Sequence, residues 1–464
     1  MLTEKKPRIG LLGIIYGPYE PIFPGVTRRQ EEYAAELMQD LSDVAEVIFP
    51  GAAKGKDDIE RIVRKFNYDG LDGILIVLLT YSQGSYLIHA LLQNRLPLMM
   101  ACVQPEQTVR EDWVELDFTM NQGIHGSQDN ANTIKRMGIS CEFIAEDRKS
   151  ERFKKRVQNW AKAAQTAAYL KKMKVALMGR LPGMGDIVTD DGTFQRIIGP
   201  EVIHESAGNI YKNLESLTKE EVYIQVQKER KMFQIDPKLS EESHLYAASM
   251  YLAIKKLLEE KGYGAYTAHF DIFQEDGRFK QVPLLAASNL MADGYGYAAE
   301  GDTMTAALVA ATYILTGNTN FSEMYAMDFT KDAILMSHSG EGNWKTARTD
   351  KKIMLIDRVM GEGGLENPPT PVFAPVPGPA SVLSLISVGD NFKIVAARGE
   401  IIDKADLKHA EVPYMFFKPI SGVSSCVEAW LRNGGSHHEV VNLGDYTERW
   451  KVLCSILGIE YVEV

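Results

Sequence analysis

The stretch RIGLLGII at residues 8–15 decides the fold class, because it is a continuous apolar run between a charged segment and a Gly-Pro turn. The run GILIVLL at residues 73–79 repeats this pattern. Such runs, rich in β-branched residues, are typical of strands buried on both faces of a parallel sheet. Amphipathic helices are predicted between them at residues 27–41 and 57–67, and a further strand at 96–103. This alternation predicts an α/β domain whose helices cover a parallel sheet.

The alternation resumes after a Lys/Arg-rich helical stretch, and we therefore expect a first domain at residues 1–170 and a second α/β domain at residues 171–318. The predicted elements of the second domain are a strand at 174–178, helices at 219–233 and 241–261, a strand at 266–273, and a helix at 303–315. Asp302 is well placed to cap the last of these helices, since aspartate is a favoured N-cap residue.

The last part of the chain, residues 319–464, has a different pattern. Six prolines fall between residues 368 and 379 and exclude a helix or a central strand there. The apolar runs around that segment are short and β-branched, at residues 333–336, 382–387 and 392–397. We predict a β-rich third domain that forms a small barrel.

Composition and charge restrict the class of partner. The chain has 464 residues, 45% of them hydrophobic, and 51 Lys and Arg against 62 Asp and Glu give a formal net charge of −11. Acidity spread along a chain argues against nucleic-acid binding, which needs clustered Lys and Arg. No apolar run reaches the roughly 18 residues of a membrane-spanning helix. The four cysteines are far apart and lack metal or redox spacing. We expect a cytoplasmic protein that binds a small neutral molecule, with neither a membrane nor a nucleic acid as partner.

Adjacent histidines occur in GGSHHE at residues 434–439. A Gly-rich turn can direct an imidazole outward, so His437 and His438 suit metal binding, whereas a solvated surface pair is the simpler interpretation. On a strand the two rings would point to opposite faces, and at most one is then expected to be a ligand.

Two glutamates and a third histidine complete a set that suits a metal. Glu300, in YAAEGD at residues 297–302, lies between a strand and a helix start, where the helix dipole keeps a carboxylate ionised; a routine capping acid is the alternative. Glu323 in FSEMY and His338 in LMSHS are ordinary polar residues when taken alone. With His438 they make two carboxylates and two imidazoles, which suit Mn²⁺, Mg²⁺ or Co²⁺ with open positions for substrate oxygens.

Two further segments bear on small-molecule binding. NQGIHG at residues 121–126 carries amides and an imidazole that can bind sugar hydroxyls, although loops often carry such residues for turn chemistry. The Gly-rich stretch GRLPGMGD at residues 179–186 matches neither GxGxxG nor a Walker A sequence, so no nucleotide cofactor is expected.

In order along the chain, these motifs resemble those of bacterial L-arabinose isomerase and, more loosely, of the L-arabinose/L-fucose isomerase superfamily. The strongest match is LMADGYGYAAEGDTMTAALVAA at residues 290–311, and NQGIHG after ELDFTM and GGSHHEVV are also similar to family segments. FSEMYAMDF and LMSHSGE match more weakly, and GRLPGMGDIVTDDG is similar to the opening of the family's middle domain. The resemblance extends from Tyr16 to His438 and covers nearly the whole chain.

The resemblance implies an L-fucose isomerase-like fold, with two Rossmann- or flavodoxin-like domains before the β-rich one. It implies a metal-dependent intramolecular oxidoreductase that interconverts an aldose and its ketose through an enediol or a hydride shift. The implied ligands of one divalent metal, most commonly Mn²⁺, are Glu300, Glu323, His338 and His438, and the two glutamates would also be catalytic. The implied sugar contacts are Tyr16, Tyr81, Gln122, His125 and His437. A homo-oligomer, trimer or hexamer, with its site between subunits is also implied.

Departures from the family pattern leave the identity of the sugar open. Residues 12–17 carry aliphatic side chains where L-arabinose isomerase has a polar Gln-His pair, and Met324 replaces an acid after the second glutamate. The segment after His338 reads Ser-Gly-Glu, unlike the usual pattern. The metal set is retained while the surroundings of the sugar differ. Two other functions therefore remain possible at this stage: a non-catalytic sugar-binding or regulatory protein that kept the fold, and a sugar-acid epimerase or lyase.

Overall fold

The computed structural model describes residues 5–360, 365–403 and 407–464. The chain forms two compact units, and each is described by itself. The N-terminal unit contains residues 5–168 and 448–456, and the C-terminal unit contains residues 169–447 and 457–464.

The N-terminal unit is built on a five-stranded sheet in which every neighbouring pair is parallel. Its strands are β1 (Arg8–Ile14), β2 (Glu46–Ile48), β3 (Gly73–Leu78), β4 (Leu98–Cys102) and β5 (Glu142–Ala145), in the order β2-β1-β3-β4-β5. Its helices are α1 (Tyr19–Ile22), α2 (Val26–Asp40), α3 (Lys56–Tyr68), α4 (Ile88–Leu92), α5 (Glu115–Asn121), α6 (Gly123–Arg136) and most of α7 (Glu151–Leu170).

Both faces of this sheet are buried, which explains the unbroken apolar runs in β1 and β3. Ile9 and Leu11 belong to a core on the face covered by α2 and α7, while Leu12 belongs to a second core on the face covered by α3. Two glycines let the helices approach closely: a Cβ at Gly10 would lie 2.6 Å from the ring of Phe66, and one at Gly73 would lie 2.9 Å from Trp160.

The C-terminal unit begins with a four-stranded parallel sheet in the order β10-β9-β6-β7. Its strands are β6 (Lys174–Met178), β7 (Glu201–His204), β9 (Ala265–Ala268) and β10 (Gly296–Ala299). The helices are α8 (Asp191–Ile197), α9 (Ala207–Ser216), α10 (Lys219–Met232), α11 (Glu241–Lys261), α12 (Asp271–Asp276), α13 (Leu284–Asp293) and α14 (Thr303–Thr316). A separate three-stranded sheet contains β8 (Gln234–Ile235), β13 (Met354–Asp357) and β14 (Pro369–Val372).

The rest of the C-terminal unit is a closed antiparallel barrel. Its strands are β11 (Asn320–Asp328), β12 (Ala333–Ser337), β15 (Gly378–Val388), β16 (Asn391–Ile401), β17 (Tyr414–Pro419) and β18 (His438–Leu443). The order β15-β18-β11-β12-β17-β16 closes through the pairing of β15 with β16, and β19 (Glu460–Glu463) adds to β16 in parallel. The last helices are α15 (Val423–Arg432), which packs on the barrel core, and α16 (Thr447–Leu457), most of which lies in the N-terminal unit.

Most of the predicted elements are present, and the α/β class with a C-terminal β-barrel is confirmed. Two of the six prolines lie in β14, which is an edge strand, as the composition predicts. Pro379 lies near the start of β15, which pairs with both β16 and β18, so the exclusion of a central strand is wrong for that residue. One predicted strand is wrong: residues 266–273 form a strand only to Ala268, and Asp271 already begins α12. Buried apolar residues occur both in the strand and in the residues that follow it, so hydrophobicity alone did not mark the boundary between β9 and α12. Within the described ranges, no helix is long and apolar enough to cross a membrane.

Candidate metal centre and active site

Glu300 lies in a tight turn between β10 and α14. Its backbone φ is +64°, in the left-handed region that non-glycine residues rarely occupy. The Glu300 amide donates to the carbonyl of Ala268 at 2.9 Å, and its own carbonyl accepts from the amide of Leu181 at 2.9 Å. The next residue, Gly301, has φ +90°, and a Cβ there would lie 2.5 Å from Cα of Arg180. The surrounding chain therefore holds this conformation in place, as is common for strained residues at functional sites.

The capping role belongs to the neighbouring acid. Asp302 caps α14, as the sequence predicts, because its Oδ1 accepts a hydrogen bond from the amide of Thr305 at 2.9 Å. Glu300 has no such role, so the interpretation of Glu300 as a routine capping acid is wrong.

Three barrel strands bring the other carboxylate and the histidines together. In β11, Glu323 is in register with His438 of β18 and with Ser337 of β12, which immediately precedes His338. Residues in register on neighbouring strands share a face of the sheet. Accordingly, Oε1 of Glu323 lies 3.4 Å from Nε2 of His438. His338 follows the last residue of β12, where the alternation of side chains along the strand ends, and its Nε2 lies 3.5 Å from the same oxygen. Oε2 of Glu300 lies 3.7 Å from the same His438 nitrogen, so the four predicted ligands converge.

His437 joins the same cluster, contrary to the expectation that strand geometry would send the two rings to opposite faces. Its Nε2 lies 3.7 Å from both Glu300 and Glu323, and its ring centroid is 4.2 Å from that of His438. His437 precedes the first residue of β18, so the alternation of side chains along a strand does not apply to the pair.

Three carboxylates that the sequence did not single out as site residues each contact one imidazole at Nδ1. The pairs are Glu341 with His338 at 2.7 Å, Asp302 with His438 at 3.0 Å, and Asp186 with His437 at 2.7 Å. Asp186 belongs to the GRLPGMGD segment and also accepts from the backbone amide of His437 at 2.9 Å. A sequence signal existed only for Asp302, which was assigned to the helix cap alone.

Charge in the cluster favours a cation. Burial raises the pKa of Glu300, but His437 and His438 outweigh burial, and this pKa lies below its ordinary value. Burial lowers the pKa of His438, but Asp302 and Glu323 outweigh burial and raise this pKa to about 9. Asp186 and Glu300 raise the pKa of His437 to about 10. The shifts of the two histidines reflect negative surroundings, in which positive charge is stabilised, and the shift of Glu300 reflects the neighbouring imidazoles.

The donor set fits a divalent metal ion. Two groups of side chains offer ligand atoms within 4.8 Å of one another: Glu300 with His437 and His438, and Glu323 with His338 and His438. Nε2 of His438 and Oε2 of Glu300 are buried and make no hydrogen bond within the described part of the chain. Buried polar atoms are normally satisfied, so two unsatisfied ones facing a shared space indicate room for a cation.

The predicted sugar contacts other than His437 lie in the N-terminal unit. Tyr16 and Tyr81 follow the carboxyl ends of β1 and β3, the edge at which parallel α/β sheets bind ligands. The ring of Tyr81 lies 4.7 Å from that of His125 and 6.4 Å from that of Tyr16. Gln122 donates from Nε2 to the hydroxyl of Tyr19 at 3.1 Å, a partner that the sequence analysis missed. The NQGIHG segment is the junction of α5 and α6 and not a loop.

Known proteins match this chain along nearly its whole length. Three sequence models match it in order: the L-arabinose isomerase N-terminal domain at residues 14–172, the central domain at 186–318 and the C-terminal domain at 318–460. The L-arabinose isomerase of Clostridium beijerinckii is 26% identical over 95% of this chain and 93% of its own. That of Escherichia coli O157:H7 is 27% identical over 93% and 89% respectively.

The chain also has a weak likeness to solved sugar-binding proteins. A periplasmic solute-binding protein from Actinobacillus succinogenes with bound D-allose covers 67% of this chain and 92% of its own, at 13% identity and a TM-score of 0.19. A likeness at that level bears on neither the fold nor the function.

Parallel-sheet α/β domains, a C-terminal barrel and a buried cluster of carboxylates and imidazoles are together typical of an enzyme that uses a divalent metal. The chain belongs to the L-arabinose isomerase family, and it is an aldose–ketose isomerase.

Proposed function

We propose that this protein interconverts an aldose and its ketose at the cluster of Glu300, Glu323, His338 and His438, with a divalent metal as cofactor. The observation that carries the proposal is a series of close approaches between residues from four separate segments. Oε1 of Glu323 lies 3.5 Å from Nε2 of His338 and 3.4 Å from Nε2 of His438, and the latter nitrogen lies 3.7 Å from Oε2 of Glu300. The relatives named L-arabinose isomerase make L-arabinose the first substrate to test.

Mn²⁺ is the metal we propose, with Co²⁺ and Mg²⁺ as alternatives, because carboxylates mixed with imidazoles suit these ions. The proposed ligands are Oε atoms of Glu300 and Glu323 and the Nε2 atoms of His338 and His438. When bound, the ion polarises the sugar carbonyl and lowers the barrier to isomerisation.

The two glutamates supply the proton chemistry in this proposal. One carboxylate removes the proton from C2 of the aldose while the other carboxyl group, which starts protonated, gives its proton to O1, and an enediol forms. The same carboxylate returns its proton to C1 while O2 loses a proton to the other carboxylate, and the ketose forms. Positioned carboxylates are suited to such transfers. A direct hydride shift from C2 to C1 would use the same residues.

Sugar recognition is assigned to side chains with hydrogen-bonding groups in both units. The proposed contacts are Tyr16, Tyr81, Gln122, His125 and His437. The first four belong to the N-terminal unit and the metal cluster belongs to the C-terminal unit. A homo-oligomer, either a trimer or a hexamer, with its site between subunits is part of the proposal through the family resemblance alone.

The finer architecture is part of the same proposal. Domain boundaries at 170/171 and 318/319 are supported by the limits of the matched family domains. The strand order β2-β1-β3-β4-β5 supports a flavodoxin-like first domain within an L-fucose isomerase-like fold. Cys102, Cys141, Cys426 and Cys454 are free thiols, which supports a cytoplasmic location.

The test is an isomerase assay on metal-stripped protein reloaded separately with Mn²⁺, Co²⁺ and Mg²⁺. A panel of pentoses, hexoses and deoxysugars is incubated with each form, and ketose is identified by NMR. We expect metal-dependent ketose formation from at least one aldose, and its loss in His338→Ala. An absence of turnover with every sugar and metal, in protein that light scattering shows to be assembled, would contradict the proposal.

A further inference from the structure

The two proposed ligand histidines each have a carboxylate at Nδ1, and the two carboxylates come from separate segments of the chain. Nδ1 of His338 contacts Oε2 of Glu341, three residues later, and Nδ1 of His438 contacts Oδ2 of Asp302, 136 residues away. All four side chains are at most 2% exposed. In both pairs Nδ1 faces a carboxylate and Nε2 faces Glu323.

Each of these carboxylates is itself held at its second oxygen. Oε1 of Glu341 accepts a hydrogen bond from the hydroxyl of Tyr297 at 2.5 Å, and Oδ1 of Asp302 accepts from the amide of Thr305 at 2.9 Å. Tyr297 lies in β10 and Thr305 in α14, directly before and after the turn that carries Glu300. Glu341 and Asp302, which contact the two histidines, therefore both form hydrogen bonds with residues that flank the turn of Glu300.

This geometry determines which ring nitrogen is free. An ionised carboxylate can only accept hydrogen bonds, so an imidazole contacting it carries the proton on Nδ1. In a neutral ring the lone pair then resides on Nε2, the atom that faces the cluster. Phe321 packs edge-on against both rings, with centroid distances of 4.8 Å to His338 and 5.0 Å to His438, and limits their rotation.

We propose that Glu341, anchored by Tyr297, and Asp302 are positioning residues that fix the tautomer and orientation of His338 and His438 for metal binding. The inference rests on the proposed function, because it takes the two histidines as ligands. Carboxylates in such positions raise the basicity of the ligand, and their loss typically costs about 10–100-fold in metal affinity.

The chain offers a matched control for an ordinary buried ion pair. Oε2 of Glu229 lies 2.8 Å from Nε2 of His244, and both side chains are buried. Glu229 also accepts from Gln225 and Asn289, so it is as fully satisfied as Glu341. Neither Glu229 nor His244 belongs to the candidate metal groups found within the described residues.

The experiment compares Glu341→Gln, Tyr297→Phe and Glu229→Gln in the full-length protein. Mn²⁺ affinity is measured by calorimetric titration of metal-stripped protein, the visible spectrum of the Co²⁺ form reports the ligand environment, and thermal unfolding reports stability. We expect Glu341→Gln to weaken Mn²⁺ binding by about 10–100-fold and to alter the Co²⁺ spectrum. Tyr297→Phe, which keeps the carboxylate, should have a smaller effect in the same direction, and Glu229→Gln should change only the unfolding temperature.

The outcomes separate this inference from the function on which it rests. If wild-type protein binds no divalent metal, the proposed function fails. If wild-type protein binds Mn²⁺ and Glu341→Gln binds it within twofold of wild type with an unchanged Co²⁺ spectrum, the positioning role is wrong and the proposed function stands. Equal losses of affinity in Glu341→Gln and Glu229→Gln would show a general effect of destabilisation, and would also overturn the inference. Should Glu341→Gln fail to fold, Tyr297→Phe carries the same comparison.

Discussion

Glu300 combines a strained backbone with a carboxylate whose Oε2 has no hydrogen-bond partner among the described residues. Strain of this kind costs about 1–3 kcal/mol and persists only where the surrounding structure determines it. Its neighbours Ala268 and Leu181 provide that constraint through backbone hydrogen bonds. The fold therefore fixes the backbone conformation from which the Glu300 side chain projects.

Glu300→Gln should abolish most of the activity and leave the fold intact. The amide keeps the size of the side chain but can neither accept a proton nor bind a cation as strongly, so we expect turnover to fall by about 10²–10⁴-fold. Steady-state assays measure the loss, and circular dichroism checks the fold. Glu428→Gln, at an exposed glutamate paired with Arg432, should keep full activity. Turnover near the wild-type rate in Glu300→Gln would show that the site is misassigned.

Gly301→Ala should destabilise the protein more than Gly277→Ala. Both glycines have positive φ, +90° and +73°, so each substitution carries the left-handed penalty of about 1–2 kcal/mol. At Gly301 the new Cβ would also meet backbone, at 2.5 Å from Cα of Arg180, whereas at Gly277 no atom of the described residues lies within 4 Å. Urea unfolding should therefore give a larger loss for Gly301→Ala, accompanied by reduced activity. Equal losses in the two variants would contradict the described close approach.

The N-cap of α14, Asp302, contributes both to the helix and to the metal centre. Asp302 caps the helix through Oδ1 and contacts His438 through Oδ2. Loss of an N-cap side chain costs about 0.5–2 kcal/mol. Asp302 therefore affects both the stability of α14 and the orientation of His438.

Asp302→Ala can be compared with Ser240→Ala, which removes the N-cap of α11, where the serine accepts from the amide of Ser243. Both variants should lose about 0.5–2 kcal/mol of stability in urea unfolding. Only Asp302→Ala should also lose Mn²⁺ affinity in calorimetric titration, because only its cap contacts an imidazole. A comparable loss of affinity in Ser240→Ala would indicate that the metal centre responds to stability in general.

The sequence predicted elements well where one physical signal dominates. The strand at residues 8–15 and the helix 241–261 match β1 and α11 closely, because burial on both faces and helical spacing leave clear patterns. The boundary between β9 and α12 was missed because apolar residues continue across it. The proposed metal ligands were identified from motifs that resemble those of a known family. Their convergence depends on the register of β11 with β18, which the sequence does not show.

The supporting carboxylates were beyond prediction from the sequence. Asp186 and His437 are 251 residues apart, and no local pattern connects them. Glu341 is only three residues from His338, but a nearby glutamate in a sequence says nothing about which ring nitrogen it contacts. Such contacts follow from tertiary packing, and the structure is needed to find them.

At the scale of the whole molecule, the division into two compact units predicts which part of the chain metal binding stabilises. All four proposed ligands belong to the C-terminal unit, and none belongs to the N-terminal unit. A ligand that binds only the folded state stabilises it by about 2.7 kcal/mol at one hundred times its dissociation constant. At an unfolding entropy of about 2.1 cal/mol/K per residue, each kcal/mol raises the unfolding temperature of a unit of about 290 residues by roughly 1.5–2 °C. Saturating Mn²⁺ should therefore raise the thermal midpoint of the C-terminal unit by roughly 4–5 °C.

Hydrogen exchange followed by mass spectrometry can locate this stabilisation within the chain. With Mn²⁺ we expect slower exchange in β10, α14, β11 and β18, which carry or adjoin the cluster, and no direct effect on β1 or β3, which hold no ligand. His338→Ala is the control, since it removes one donor and should suppress both the temperature shift and the added protection. Protection that appears only in the N-terminal unit, or that is equal in His338→Ala and wild type, would place the metal elsewhere. Because the readout needs no substrate, the metal centre is tested independently of which sugar the enzyme converts.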